Sequence, residues 1–313
     1  MTQPIFKIAV SGASGLIGAQ LVRALSEKRI HVVQLIREKN SASTPNPGSD
    51  SGTDRVIWKP QLEQPVEDME RLEGLDATIH LSGANLSSHR WTESYKREIV
   101  NSRVQSTQAL VRVLRGLKSP PKSLLCASAT GIYGDRGDEV LTESSPPGRG
   151  FIADTCAAWE AAADTAKTVG ARVIHLRFGV ALSTEGGALR KMLPLFRLGM
   201  GGRLGSGRQW MNWIALPDVL GAIQFLLEPE TPEGPFNLVA PNPVTNAEFT
   251  VALGAAVHKP AILPAPAFAL RLAFGEIADS VLLASTRALP ERLLQAGFRF
   301  QYPEIGGALR AAL

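Results

Sequence analysis

Lys7-Ile8-Ala9-Val10-Ser11-Gly12-Ala13-Ser14-Gly15-Leu16-Ile17-Gly18 is the stretch on which the reading of this chain turns. An apolar run, Ile5 to Val10, meets three glycines at the spacing GxxGxxG, and Ala19 to Leu25 follow with apolar residues at helical intervals. The order is strand, tight turn, helix. Glycines at those points let main-chain N–H groups approach a pyrophosphate and aim the positive end of a helix at it, where larger side chains would obstruct. His31 to Ile36 reads as a second strand and completes a βαβ start of about 30 residues. The same glycines would also suit a turn that only packs a helix on a strand. The strand–helix–strand context favours a dinucleotide, with Gly12, Ser14, Gly15, Leu16, Ile17 and Gly18 on its phosphates.

Working outward, the second strand ends Gln34-Leu35-Ile36-Arg37. An acidic side chain at such a strand end accepts from the adenosine ribose of NAD, whereas an arginine favours the extra phosphate of NADP. Arg37 therefore predicts NADP(H) as cofactor; the alternative is an ordinary solvated arginine.

Composition sets the frame. With 313 residues, 44% hydrophobic and 20% charged, the chain is long enough to bury a full core. Its 33 basic and 29 acidic residues leave a net charge of +4 without a single-sign run, which does not call for nucleic acid. The two cysteines, Cys126 and Cys156, lie outside any CxxC or Cys/His cluster, so neither a disulfide framework nor a metal site is expected. No apolar run reaches the roughly 18 residues of a membrane span, and the start enters the first strand directly without a signal peptide. The expected location is the cytoplasm.

Further along, Ser41 to Asp54 is rich in Ser, Pro, Asn, Gly and Asp and reads as a flexible loop. Val56 to Trp58, Ala77 to Leu81, Ser123 to Ser128 and Arg172 to Phe178 read as strands three to six. A long helix is expected over Thr92 to Leu117 and an alanine-rich one over Phe151 to Val169. This alternation predicts an α/β fold, a Rossmann-type doubly wound parallel sheet with a smaller, mostly helical C-terminal part. The expected division is 1–257 for the dinucleotide-binding domain, including a substrate wall at 186–218, and 258–313 for the tail. Five glycines between 199 and 207 suggest a mobile lid or a turn-rich connection. Beside them Trp210 and Trp213 either stack on a ligand ring or fill the core, and Arg203, Arg208 and Gln209 offer donors. The tail carries Leu263, Phe268, Leu270, Leu272 and Phe274, which either fold back on the sheet or meet a second copy, leaving a homo-oligomer open.

Four further segments fit one template: Thr78-Ile79-His80-Leu81-Ser82-Gly83-Ala84, Ser128-Ala129-Thr130-Gly131-Ile132-Tyr133-Gly134, Arg177-Phe178-Gly179-Val180, and Asn212-Trp213-Ile214 with Asp218. They resemble the extended short-chain dehydrogenase/reductases, the group containing sugar-nucleotide epimerases. Arg90-Trp91-Thr92-Glu93, Ser102-Arg103-Val104, Gly186-Gly187-Ala188-Leu189, Leu204-Gly205-Ser206-Gly207, Ala240-Pro241 and Thr245-Asn246 resemble the atypical subgroup called "epimerase family", often labelled SulA-type cell-division inhibitor homologues. The likeness covers nearly the whole chain, including Gly275-Glu276 and Gly297-Phe298. It implies that Leu81, Ser82 and Gly83 pass close to the adenine and ribose. It also implies that Glu98 and Arg103 lie on the helix lining the nicotinamide half, the alternative being a surface helix whose charges pair with one another, and that Ala181 closes over the nicotinamide. Ser128 and Thr130 fall where the family places a substrate-contacting hydroxyl; either would orient a substrate, or cap a turn.

The chain departs from the family at its chemistry. Short-chain reductases use a Tyr-x-x-x-Lys pair, the phenol moving a proton while the lysine lowers its pKa and holds the ribose. Here Tyr95, Tyr133 and Tyr302 are followed four residues later by Ile99, Gly137 and Gly306. Alignment through Trp159-Glu160 puts Ile152 and Cys156 at the pair, and neither can replace it. Ala215 and Pro217 stand where the subgroup usually has His and an acidic residue. Tyr133 is expected to pack rather than move a proton, Cys156 to be buried and inert unless an adjacent positive group lowers its pKa, Glu160 to pack with Trp159 on the helix face, and His89 to lie in a solvated loop or, beside Arg90, to face the pocket. Two functional classes follow. One is an NADP(H)-dependent oxidoreductase or epimerase-like enzyme of a small polar substrate with another proton source. The other is a catalytically silent NADPH-binding regulatory or scaffold protein, which the cell-division label implies.

Overall fold

Seven parallel strands form the central sheet of the computed structural model, which describes residues 7–37 and 52–313. They are β1 (Lys7–Ser11), β2 (His31–Ile36), β3 (Thr53–Ile57), β4 (Ala77–His80), β5 (Ser123–Ala129), β6 (Arg172–Phe178) and β7 (Gly234–Leu238). Their spatial order is β3-β2-β1-β4-β5-β6-β7. The chain builds outward from β1 in one direction and then returns to start the other half at β4. A crevice therefore opens above the carboxyl ends of β1 and β4, the place where doubly wound sheets take ligands.

Helices cover both faces because the strands are apolar on both. Ile8 and Val10 join Leu21 and Leu25 of α1 (Leu16–Glu27) and Ile223 and Leu226 of α5 (Leu216–Leu226). Ala9, pointing the other way, joins Leu110 and Leu114 of α3 (Val104–Arg115) and Trp159 and Ala163 of α4 (Phe151–Asp164). The alternation is the two-residue period of a strand feeding two cores.

The expected long helix over Thr92 to Leu117 is two helices, α2 (Glu93–Asn101) and α3, broken at Ser102-Arg103. Side chains explain the break. Ser102 Oγ and Arg103 Nη1 donate to the Ile99 carbonyl, both at 3.0 Å, while Ser106 Oγ and Thr107 Oγ1 donate to the carbonyls of Ser102 and Arg103, both at 2.7 Å. Local bonds of this kind compete with a continuous helix. Strand three begins at Thr53, so the end of the expected loop at Thr53 and Asp54 is strand, and most of that loop lies outside the described residues. The seventh strand escapes a sequence reading because Gly234-Pro235 opens it; proline is tolerated there at the sheet's edge.

Beyond β7 the chain folds back on the body. Arg287-Ala288 pairs in parallel with Val140-Leu141, Leu293 joins the core on the α1 side, and Leu309 packs with Trp213 and Phe249. Glu143 accepts from the main-chain N–H of Asn237 at 2.9 Å and of Arg292 at 3.4 Å, tying sheet and tail together. Phe268 and Leu272 of α6 (Ala267–Phe274) remain exposed. Among the described residues no helix is long and apolar enough to cross a membrane.

Candidate functional site

Gly12 has φ +71°, and a Cβ there would lie 2.7 Å from the Leu81 carbonyl carbon. A Cβ on Gly18 would lie 2.2 Å from the Gly12 oxygen. The turn thus closes on its own helix and against the end of β4, which any larger residue would prevent. Helix α1 follows Gly15 without a side-chain cap, so no side chain satisfies its first N–H groups, and Gly15, Leu16 and Ile17 line the crevice.

Two cavities meet at this turn. The larger, about 850 Å³, runs from Gly12–Gly15 past the end of β2 to α2, and the smaller, about 300 Å³, lies between the start of α1 and α4. Gly12, Gly15, Leu81 and Gly83 border both. Ser14, Arg37, Ser82 and Glu98 border the larger; Leu16, Ile17, Gly18, Arg103 and Ser128 border the smaller. The resemblance had put Glu98 and Arg103 together, and the helix break sends them to different chambers. Thr130 and Ala181 reach neither. Thr130 Oγ1 donates to the Phe178 carbonyl at 3.3 Å, and Ala181 is held in a short strand, Val180–Leu182, paired with Trp213–Ala215.

In the larger chamber α2 turns a polar stripe inward, Ser94, Arg97, Glu98 and Asn101, continued by Gln105; the buried Tyr95 borders the same chamber, while the buried Ile99 borders the smaller one. Only Glu98 was read from the sequence, although the three-to-four-residue spacing of the polar residues marks the whole stripe. Trp58 sits in the same wall with an indole N–H that has no partner among the described residues. His89 borders this chamber and meets Tyr95 edge-on, ring centroids 5.0 Å apart.

Ile152 and Cys156 do line the smaller chamber, where the proton-transferring pair would stand. Burial pushes the Cys156 thiol up to about 12, so it stays protonated. Glu160 is not a packing residue. Its carboxylate accepts from Arg177 at 2.8 and 2.9 Å and from Ser128 Oγ at 2.6 Å, all buried. Arg177 also donates to the Tyr133 hydroxyl at 2.9 Å, which donates to Asn237 at 2.7 Å. Tyr133 is thus fully occupied and reaches neither chamber.

Beneath the turn lies His80, fully buried, with Nδ1 2.5 Å from Ser11 Oγ and Nε2 3.2 Å from Ser106 Oγ. The Ser106 proton goes to the Ser102 carbonyl at 2.7 Å, which assigns the ring hydrogen to Nε2 and makes Nδ1 the acceptor from Ser11. Desolvation pulls the imidazole pKa down to about 4, so it is neutral near pH 7.

The expected substrate wall is built differently from its reading. Trp213 is core, its indole N–H donating to the Asn242 carbonyl at 3.2 Å. Trp210 donates to Asp138 at 2.8 Å under the Arg287 guanidinium, 4.2 Å from the ring centroid. The glycine-rich stretch is fastened rather than free: Leu263 N–H donates to the Gly201 carbonyl, Ala265 N–H to Arg203 and Gly205 N–H to Ala265, at 3.1, 2.9 and 2.8 Å.

Residues 8–238 match the NAD dependent epimerase/dehydratase family, and residues 265–312 match a domain of unknown function. An epimerase family protein of Mycobacterium bovis is 41% identical over 302 residues, 96% of both chains. One from Staphylococcus aureus is 37% identical over 303 residues, again 96% of both. The structure of human epimerase family protein SDR39U1 (isoform 2) with NADPH superposes with a TM-score of 0.84 at 30% identity, covering 98% of this chain and 99% of that one.

Proposed function

This chain belongs to the NAD dependent epimerase/dehydratase family, and from that premise we propose that it binds NADP(H) across the two chambers as an oxidoreductase or epimerase-like enzyme of a small polar substrate. The observation that carries this reading is the uncapped start of α1 between two cavities, one of them edged by Arg37. Gly12, Gly15, Leu16, Ile17 and Gly18 would hold the diphosphate, and Arg37 with Ser14 the additional phosphate. Leu81, Ser82 and Gly83 would lie along the ribose, and the smaller chamber would take the nicotinamide. When bound, the cofactor supplies a hydride.

Ser128 would orient the substrate. Its hydroxyl hydrogen is engaged in the bond donated to Glu160, so it turns lone pairs to the chamber and suits a substrate hydroxyl rather than a carbonyl. The Glu160 carboxylate, paired with Arg177, lies one hydrogen bond further on. No thiolate competes for that part.

A second reading is favoured by one observation: Ile152 and Cys156 fill the positions of the proton-transferring pair. It makes the protein a cofactor-binding regulator whose affinity for a partner changes with NADPH. Titration of the purified chain with NADPH and NADH, followed by nicotinamide fluorescence, tests the common premise. NADPH is expected to bind at least about tenfold more tightly. Failure of the folded, nucleotide-free protein to bind either would overturn both readings. Substrate-dependent loss of the bound NADPH signal would then select the enzyme.

A further inference from the structure

Arg103 stands at the break between α2 and α3, and its guanidinium enters the smaller chamber. It donates to the Ile99 and Ala84 carbonyls, both at 3.0 Å, and lies over the Trp159 ring with its central carbon 5.1 Å from the centroid. A Cβ on Gly83 would come within 3.3 Å of that carbon, so the glycine makes room for the guanidinium. Two of its five N–H donors are used, and among the described residues no carboxylate lies within 4.0 Å.

The other groups facing this chamber do not cancel that charge. The Cys156 thiol is protonated and Ser128 and Thr155 are neutral hydroxyls; Glu160, behind Ser128 and outside the chamber's lining, is paired through two contacts with Arg177. What remains is one fixed cation in a small, mostly apolar space. Arginine keeps its charge across the accessible pH range even when partly desolvated.

Resting on the cofactor reading above, we propose that the smaller chamber senses the redox state of the dinucleotide: Arg103 makes it favour the reduced form, whose nicotinamide is neutral, over the oxidised form, whose ring is a cation. The phosphates are common to both forms, so their attraction to the protein cancels from the comparison. Only the ring charge differs, and two cations sharing a partly desolvated cavity repel by an amount that corresponds to a tenfold or larger difference in affinity. By linkage the bound cofactor becomes a stronger oxidant than the free one, by about 30 mV for each tenfold preference.

The experiment is a calorimetric titration of the full chain with NADPH, NADP⁺ and 2′,5′-ADP, which lacks the nicotinamide half. The unmodified protein is expected to bind NADPH at least tenfold more tightly than NADP⁺. Arg103→Lys keeps that preference, Arg103→Met brings the two within about twofold, and 2′,5′-ADP binds all three proteins alike. Equal affinity for the two redox forms in the unmodified protein overturns the proposal without needing any variant. So does a preference that survives in Arg103→Met. Should that variant fail to fold, Cys156→Asp replaces it, because a carboxylate beside Arg103 should cancel the charge and reduce the preference. Binding of none of the three nucleotides would instead remove the cofactor reading itself, and the proposal with it.

Discussion

The Ser128 hydroxyl donates to Glu160 Oε1 at 2.6 Å, across 32 residues of sequence, and the same carboxylate is gripped by Arg177 from the neighbouring strand. The end of β5 is thereby coupled to a buried ion pair. Replacing Glu160 with Leu strands the Arg177 charge and should cost about 3–5 kcal/mol. Ser128→Ala leaves the pair intact and should cost about 1–2 kcal/mol. Urea denaturation of both variants checks the difference, and equal effects would contradict the hierarchy.

His80 makes the fold sensitive to mild acid. Its imidazole has a pKa of about 4 in the folded protein against an ordinary 6.5, so the unfolded chain binds a proton that the native one refuses. Stability is then full above pH 6.5 and falls as pH drops toward 4. By this group alone the loss is about 2 kcal/mol at pH 5. His80→Gln, less stable at pH 7, should show a flatter profile between pH 7 and 5 in the same denaturation experiment.

Arg37 borders the larger chamber, is exposed, and has no ion-pair partner among the described residues. Arg37→Ala should weaken NADPH by about 10- to 100-fold, the value of a lost charge-assisted contact, and leave NADH unchanged. Fluorescence titration measures both; an equal loss for the two nucleotides would show that Arg37 does not read the extra phosphate.

Both cysteines should be silent in the native protein. Burial pushes Cys126 and Cys156 alike up to about 12, which leaves almost no thiolate at pH 8. Ellman's reagent should label neither until denaturant is added and then both. Rapid native labelling of Cys156 would mean that the smaller chamber opens.

Local patterns in the sequence carried a good deal of this. The strand–glycine–helix order of residues 7–27, the strand-end Arg37 and the apolar runs of β1, β2 and β4–β6 depend on neighbours within a few positions, so they can be read without a fold. Gly234-Pro235 hid β7 because its strand character comes from pairing with β6 rather than from its own residues. The break at Ser102-Arg103 was hidden for a related reason, since helical spacing continues through it and only the side-chain bonds to carbonyls reveal it.

The sequence by itself determined the Rossmann architecture, the glycine turn and the absence of the Tyr-x-x-x-Lys pair, because each is a matter of residue type at fixed spacing. Tertiary structure alone decided that Glu98 and Arg103 face different chambers, that Thr130 bonds back to Phe178, and that Ser128, Glu160 and Arg177 form one buried unit. Those facts depend on which face of a helix meets which strand end. That is settled when distant segments pack together and each buried polar group must find a partner.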